Sequence, residues 1–375
     1  MFSNVRNVVV ALALAVVALA LCLDIAIRDD PISVDFHTYL AAAQVGLRDG
    51  WSNVYDQALV ALQQKALAPD QKSQPFISPP TVALLAAPLV GLPFDVAYAV
   101  WASFTFAAFA LALAWAGVST GWSRWVAILG ALSPWWVMHA VNVGQVVPLV
   151  AAGLVLGWRF LRECRDVLAA MALLAILLKP NTAVLVPVAL VFAARWRVLA
   201  SWAVGATVVF GLILFTVGLD GLAAYVAQLR QPMPSGADDL TLHGALDVAG
   251  TPAAVLRVVI VAAVLAAAYR LRDSPGLMLP LAIVGSLAIT PYLHGSDLCV
   301  LSAAAWMVWE AKPAVSWRLP LAAGWVLASP YLYLQGIGPG LNRWPWLELA
   351  LLAALVLAAW WPLTGGAAPR RRLPA

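Results

Sequence analysis

The sequence predicts an all-α, polytopic membrane protein with about twelve transmembrane helices, and three observations lead there. Of the 375 residues, 63% are hydrophobic and only 11% are charged, whereas a soluble domain is nearer half apolar and a quarter charged. Mean hydropathy is +0.88. Apolar runs of near-spanning length recur along the whole chain, and a crossing helix needs ~20 mostly apolar residues. The +4 net charge reads as basic cytoplasmic loops and not as a nucleic-acid surface. One integral membrane domain over residues 1–375 is expected.

The elements follow in order. Val8 to Leu23 has the length of a signal peptide but lacks a convincing small-residue cleavage site. It is therefore expected to remain as a first span, 6–27. A polar loop at 28–78 comes next, with short interfacial helices expected inside it. It contains SVDFHTYLAAAQ, Ser33 to Gln44, in which Asp35, His37 and Tyr39 open an alanine-rich, helix-prone run. Asp35 can serve as a base towards a hydroxyl, or it can cap that run, since aspartate is a good N-cap. The apolar stretch from Pro79 to Leu92 is too short to cross and is expected to be a half-helix or an interfacial helix. Further spans are expected at 95–117, 122–140, 146–161, 166–178, 181–195 and 198–219. A second long loop, 220–251, separates these from spans at 252–271, 275–291, 297–311, 317–335 and 344–363.

Charge orients this layout. Fourteen of the 22 basic residues fall on one side, seven on the other, and Arg257 lies inside a span near the second side. Lysine and arginine concentrate in cytoplasmic loops, so both termini are expected in the cytoplasm. The opposite face then carries both long loops, all four histidines (His37, His139, His243, His294) and eleven of the eighteen acids. Histidine and carboxylate are the usual proton-transfer groups.

Four polar marks stand on that face. The first is Asp35 with its neighbours. The second is HAVNVGQ, His139 to Gln145, where Asn142 and Gln145 supply uncharged donors and acceptors. The third is Lys179, between two apolar runs, where an ammonium must pair or snorkel. A phosphate would suit it, and Pro180 can start a helix whose N-terminus adds partial positive charge. The fourth is TPYLHGSDL, Thr290 to Leu298: His294 can bind phosphate or exchange a proton, and Asp297 can orient it or cap the next helix. Arg257 is a further cation in need of an anionic partner. Cys22, Cys164 and Cys299 show neither metal spacing nor a disulfide framework. No phosphate-binding loop, dinucleotide fingerprint or HExxH motif is present.

Together these marks resemble a GT-C superfamily glycosyltransferase of the family 87 type, the group of polyprenyl-phosphate-mannose-dependent α-mannosyltransferases. The resemblance rests on Asp-x-x-x-Tyr (Asp35 to Tyr39), aromatic-x-x-Pro-Pro (Phe76 to Pro80), Asn-x-Gly-Gln (Asn142 to Gln145), Lys-Pro (Lys179, Pro180) and Pro-Tyr-x-x-His-x-x-Asp (Pro291 to Asp297). It implies an inverting enzyme that takes mannose, or a similar pentose or hexose, from a polyprenyl-phosphate donor. The acceptor would be a lipid or glycan at the extracytoplasmic face. It implies Asp35 as base, with Lys179, His294 and Arg257 on the donor phosphate. It places His37, Tyr39, Asn142, Gln145, His243 and Asp297 near sugar or acceptor. No metal or other cofactor is implied, although Asp29 and Asp30 lie nearby. Mannose is the family default; His37 and Thr38 depart from the motif.

Two rivals remain at this stage. A transporter or flippase of lipid-linked sugars would also have many spans, but midplane polar residues and internal repeats mark many transporters, and neither is evident here. A lipid-linked oligosaccharide polymerase or ligase would need a richer late outer loop than 220–251, whose only cationic-type residues are Arg230 and His243.

Overall fold

The computed structural model describes residues 33–231, 240–242, 244, 249–312, 315–328 and 345–361. The expected first span and His243 lie outside these. Among the described residues the chain is helical throughout, with a lone bridge between Val90 and Leu92 and no strand.

The first loop is folded. Helix α1 (Val34–Arg48) is followed by a 3-10 turn at Trp51–Asn53 and by α2 (Gln57–Leu67). Asp56 caps α2, accepting from the N–H groups of Ala58 and Leu59. Two glutamines then strap down the strand-like return. Gln57 Oε1 accepts from Phe76 N–H at 2.9 Å, and Gln64 Oε1 accepts from Gln74 N–H at 2.8 Å. Phe76 is thereby fully buried. Helix α3 (Pro80–Ala86), extended by a 3-10 turn to Leu89, spans only ~15 Å, half the hydrocarbon thickness of ~30 Å. It matches the half-helix expected there.

The bundle follows: α4 (Phe94–Ala116), α5 (Trp122–Leu132), α6 (Trp135–Asn142), α7 (Val147–Arg162), α8 (Asp166–Leu173), α9 (Leu185–Phe192), α10 (Trp196–Leu229), α11 (Gly250–Arg270), α12 (Pro275–Ile289), α13 (Cys299–Glu310), α14 (Val315–Ala328) and α15 (Pro345–Ala358). Three of these, α4, α10 and α11, are long and apolar enough to cross a membrane alone. Among the described residues, the other expected spans correspond to shorter or broken helices. The run 122–140 breaks at Ser133 and Pro134, where proline supplies no N–H for the ladder. The run 166–178 tightens into a 3-10 turn after Leu173. The segment 181–195 is helical only from Leu185. Small residues let the helices approach: a Cβ on Gly153 or Gly157 of α7 would meet Ala175 or Leu173 within 3 Å.

The expected loop at 220–251 begins later than predicted. Helix α10 turns at Gly218 (φ 70°, ψ −178°), a conformation open in practice to glycine alone, and stays helical to Leu229. The arm beyond the kink lies on the first-loop turn: a Cβ on Gly221 would stand 3.1 Å from Ser52, and Tyr225 meets Tyr55 at 5.0 Å between rings.

Arg124, Arg159, Glu163 and Glu310 stand at one end of the bundle. Arg124 donates to the Ala114 carbonyl at the end of α4. Arg159 pairs with Glu163 at 2.6 Å at the end of α7. Glu310, closing α13, accepts from the N–H groups of Val118 and Ser119 at 2.7 and 2.8 Å. The polar marks sit at the other ends of α7 and α13, ~24 Å away along α7.

Candidate active site

The site is built where helices are broken. Gln145 lies in the turn between α6 and α7, Lys179 between two 3-10 turns, and His294 and Asp297 in the turn between α12 and α13. In an apolar bundle such breaks expose backbone groups and are tolerated where they line a polar cavity.

Asp35 occupies the first turn of α1, whose N-cap is Ser33 in a left-handed conformation without a side-chain cap bond. Asp35 is thus not the cap considered from sequence. Its Oδ2 instead accepts from Gln145 Nε2 at 2.8 Å. Gln145 Oε1 accepts from the Tyr39 hydroxyl at 2.5 Å and from Val146 N–H at 3.1 Å. Tyr39 stands one turn after Asp35, on the same helix face.

His37, two residues from Asp35, is rotated ~200° around the helix and faces away. Its Nε2 lies 2.6 Å from the Gln64 carbonyl, and its ring meets Phe94 edge-on at 5.5 Å. It joins α1 to α2 and lies apart from the Asp35 carboxylate. Burial lowers its pKa, so the neutral ring is favoured.

The turn 142–145 is clamped onto α1 by the backbone. Ser33 N–H donates to Asn142 O at 2.8 Å, and Asp35 N–H to Val143 O at 2.9 Å. Tyr98 and Trp101 of α4 donate to the carbonyls of Asn142 and Gly144, each at 2.8 Å. Gly144 has φ +72°, and a Cβ there would meet Phe36 Cβ at 2.5 Å. No L side chain fits without moving α1, and with it Asp35. The Asn-x-Gly-Gln spacing therefore carries three jobs: a carbonyl, a bare Cα and an amide.

The second half of the site is an ion pair. Lys179 Nζ lies 2.6 Å from Asp297 Oδ1; the lysine side chain is 10% exposed and that of Asp297 is fully buried. Asp297 Oδ2 accepts from the His294 backbone N–H at 3.0 Å. Pro180 opens a three-residue 3-10 turn, not the expected helix; α9 starts at Leu185, whose N–H donates to Ser286 Oγ at 2.9 Å. The helix-terminus charge foreseen beside Lys179 is therefore not built. Asp297 fills that place.

The two halves act on one another. Burial pushes the Asp35 carboxyl above its ordinary range, while Lys179, His294 and His139 pull it back. Burial alone would depress Lys179, but Asp297, Tyr292 and Asp35 outweigh it and hold the ammonium above its ordinary value. His294 is lowered by the protein packed behind it, with Asp297 opposing. Yet its outer edge is exposed and Asp35 is only half-buried. These groups are hemmed in by protein and still partly reachable by solvent.

The structure thus brings together Asp35, Tyr39, Gln145, Lys179, His294 and Asp297. His139 joins them on α6: a Cβ on Gly295 would lie 3.5 Å from its ring. Arg257, on α11, makes no ion pair among the described residues and does not enter the electrostatics of Asp35, Lys179 or His294. His243 lies outside the described residues. Tyr292 belongs to the Pro-Tyr-x-x-His-x-x-Asp stretch but was assigned no role from sequence; its ring lies 5.8 Å from that of His294. Among the described residues no three histidine, cysteine, aspartate or glutamate side chains are grouped to hold a metal ion.

No match was found among curated proteins or solved structures. A family model does match: that of glycosyltransferase family 87, over residues 76–330. The matched region holds Gln145, Lys179, His294 and Asp297, while Asp35 and Tyr39 precede it. With more than half of its length covered by that model, the chain belongs to glycosyltransferase family 87, a GT-C type family.

Proposed function

We propose that the chain is an inverting glycosyltransferase that moves mannose, or a similar hexose or pentose, from a polyprenyl-phosphate donor to a lipid or glycan acceptor. It works at the extracytoplasmic face of a twelve-span fold with both termini in the cytoplasm. The observation that carries the reading is the electrostatic meeting of one carboxylate, Asp35, with the Lys179–His294–Asp297 group, at a place where Asp35 and His294 stay partly open to solvent. The chemistry is a single displacement. The acceptor oxygen forms a bond to the anomeric carbon, its proton passes to Asp35, and the bond from that carbon to the phosphate oxygen breaks. The electron pair leaves with the polyprenyl phosphate.

Each group has a task. Asp35 accepts the proton, and partial desolvation makes it a stronger base than an exposed carboxylate. Lys179 uses one N–H on Asp297 and keeps two for phosphate oxygens. His294, near neutral before the donor arrives, gains a proton more readily beside an incoming phosphate, because an opposite charge raises its pKa. The leaving phosphate is then met by placed charge where negative charge develops. No metal is needed in this scheme.

The test is donor use. Membranes holding the protein are expected to transfer labelled sugar from a polyprenyl-phosphate donor and not from a nucleotide sugar, given extracted lipids as acceptors. Transfer from the nucleotide sugar alone would refute the donor class. Donor crossing the bilayer unchanged, with no product, would point to the flippase.

A further inference from the structure

The sequence reading put Tyr39 and Gln145 among groups that touch sugar or acceptor, but their contacts suit another task. We propose that Gln145, locked by Tyr39, is a positioning residue that commits Oδ2 of Asp35 to a hydrogen bond and leaves Oδ1 as the one oxygen that receives the acceptor's proton. This rests on the reading of Asp35 as base.

A backbone N–H can only donate, so the Gln145 atom 3.1 Å from Val146 N must be its oxygen. The Tyr39 hydroxyl donates to that same oxygen at 2.5 Å. Both lone-pair directions of Oε1 are then taken, and the amide cannot flip without losing two bonds. Its NH₂ group must therefore face Asp35. An amide N–H needs an acceptor, and a carboxyl oxygen accepts more weakly once it carries the proton, so protonation of Oδ2 would weaken that bond. Protonation is directed to Oδ1. Gln145 is buried, and its Oε1 and one N–H of Nε2 are engaged by these partners.

Other ionisable groups around Asp35 do not provide this. Lys179, His139, His294 and Asp297 act on it through space. Among the elements packed on α1, Lys65 of α2 is exposed, and α3 and the turn at Trp51–Asn53 carry no ionisable side chain.

Two variants test the idea, Gln145→Leu and Tyr39→Phe. Loss of an N–H donor to a carboxylate disfavours the ionised form. The acid limb of the kcat profile in Gln145→Leu is therefore expected to move to higher pH by about one unit. kcat should fall at least about tenfold with KM for both substrates little changed, as for an interaction that matters only in the transition state. Tyr39→Phe should do the same more weakly, because Val146 N–H still holds the amide. A raised KM with an unmoved acid limb would overturn the proposal and return both residues to substrate contact. No change in either variant would overturn it too. If Gln145→Leu does not fold, Tyr39→Phe alone decides by the same criteria. Titrating the ¹³C-labelled carboxyl of Asp35 in detergent separates the two readings. A shift in Gln145→Leu supports the positioning role even where no donor is transferred, and an unshifted titration removes it even if Asp35 is the base.

Discussion

Asp35→Asn is expected to abolish sugar transfer while leaving the protein as stable as the wild type, or more so. Asparagine has nearly the same shape, and its oxygen can still accept from Gln145 Nε2, which lies 2.8 Å from Oδ2 in the wild type. What it lacks is a site that can take a proton. Removing a placed base typically costs 10²- to 10⁴-fold, roughly. The stability half follows from linkage. Burial raises the folded-state pKa of Asp35 above the ordinary 3.8, so its ionised form is the disfavoured one in the fold. That cost is present at pH values above the folded pKa and is relieved as pH falls through it. Asparagine removes the cost at neutral pH. Residues held against stability in this way mark function. Transfer assays at matched protein amounts, with thermal melts in detergent, check both halves; a variant that is inactive because it is unfolded would fail the second. The same reasoning places the acid limb of wild-type activity above the ordinary carboxylate range.

Lys179→Met is expected to cost activity and stability together. The lost cation should slow transfer roughly a hundredfold, ~3 kcal/mol in barrier. The stability loss is larger than for a surface pair, because Asp297 is fully buried. An unpartnered buried carboxylate typically costs ~3–5 kcal/mol. Lys179→Met combined with Asp297→Asn removes that charge, and should recover most of the melting temperature but none of the activity. A double variant as unstable as the single one would show that the pair is not the source of the loss. Recovery of activity in the double variant would show that the ammonium does not act on the donor.

Much of the helical layout was legible because hydropathy reports it directly: α4, α7, α11 and α12 fall within a few residues of the expected spans. The breaks were less legible. Lys-Pro suggested a new helix at residue 180, but the chain makes 3-10 turns on both sides of Lys179 and delays the helix to Leu185. Local proline preference could not foresee that Ser286 of α12 would meet the Leu185 N–H. The arm after Gly218 was hidden because its glycines and Asp220 read as a loop, while packing on Ser52 and Tyr55 keeps it helical.

At the site, the polar residues stood out in the sequence for a physical reason: charge and amide groups are costly in an apolar chain. Their partners were not legible. Lys179 and Asp297 are 118 positions apart, and nothing local says that the ammonium already has an internal counter-ion. The opposite facing of Asp35 and His37 could have been read from helix period alone, had the helix been known to begin at Val34. Gln64 is fully buried and Gln57 bonds the returning segment at Phe76, contacts that nothing local in the sequence announces. Tyr292 was quoted in its motif without a role; its place three residues after the end of α12, beside His294, was the signal.

The central claim is a single displacement at the anomeric carbon with Asp35 as base, and the anomeric configuration of the product tests it most directly. Purified protein, a polyprenyl-phosphate donor of known anomer and a saturating acceptor would give a product whose linkage is read by NMR. The account predicts configuration opposite to that of the donor. Retained configuration would contradict it, because that outcome requires either a covalent sugar–enzyme intermediate or front-face attack, and neither leaves Asp35 the role assigned here.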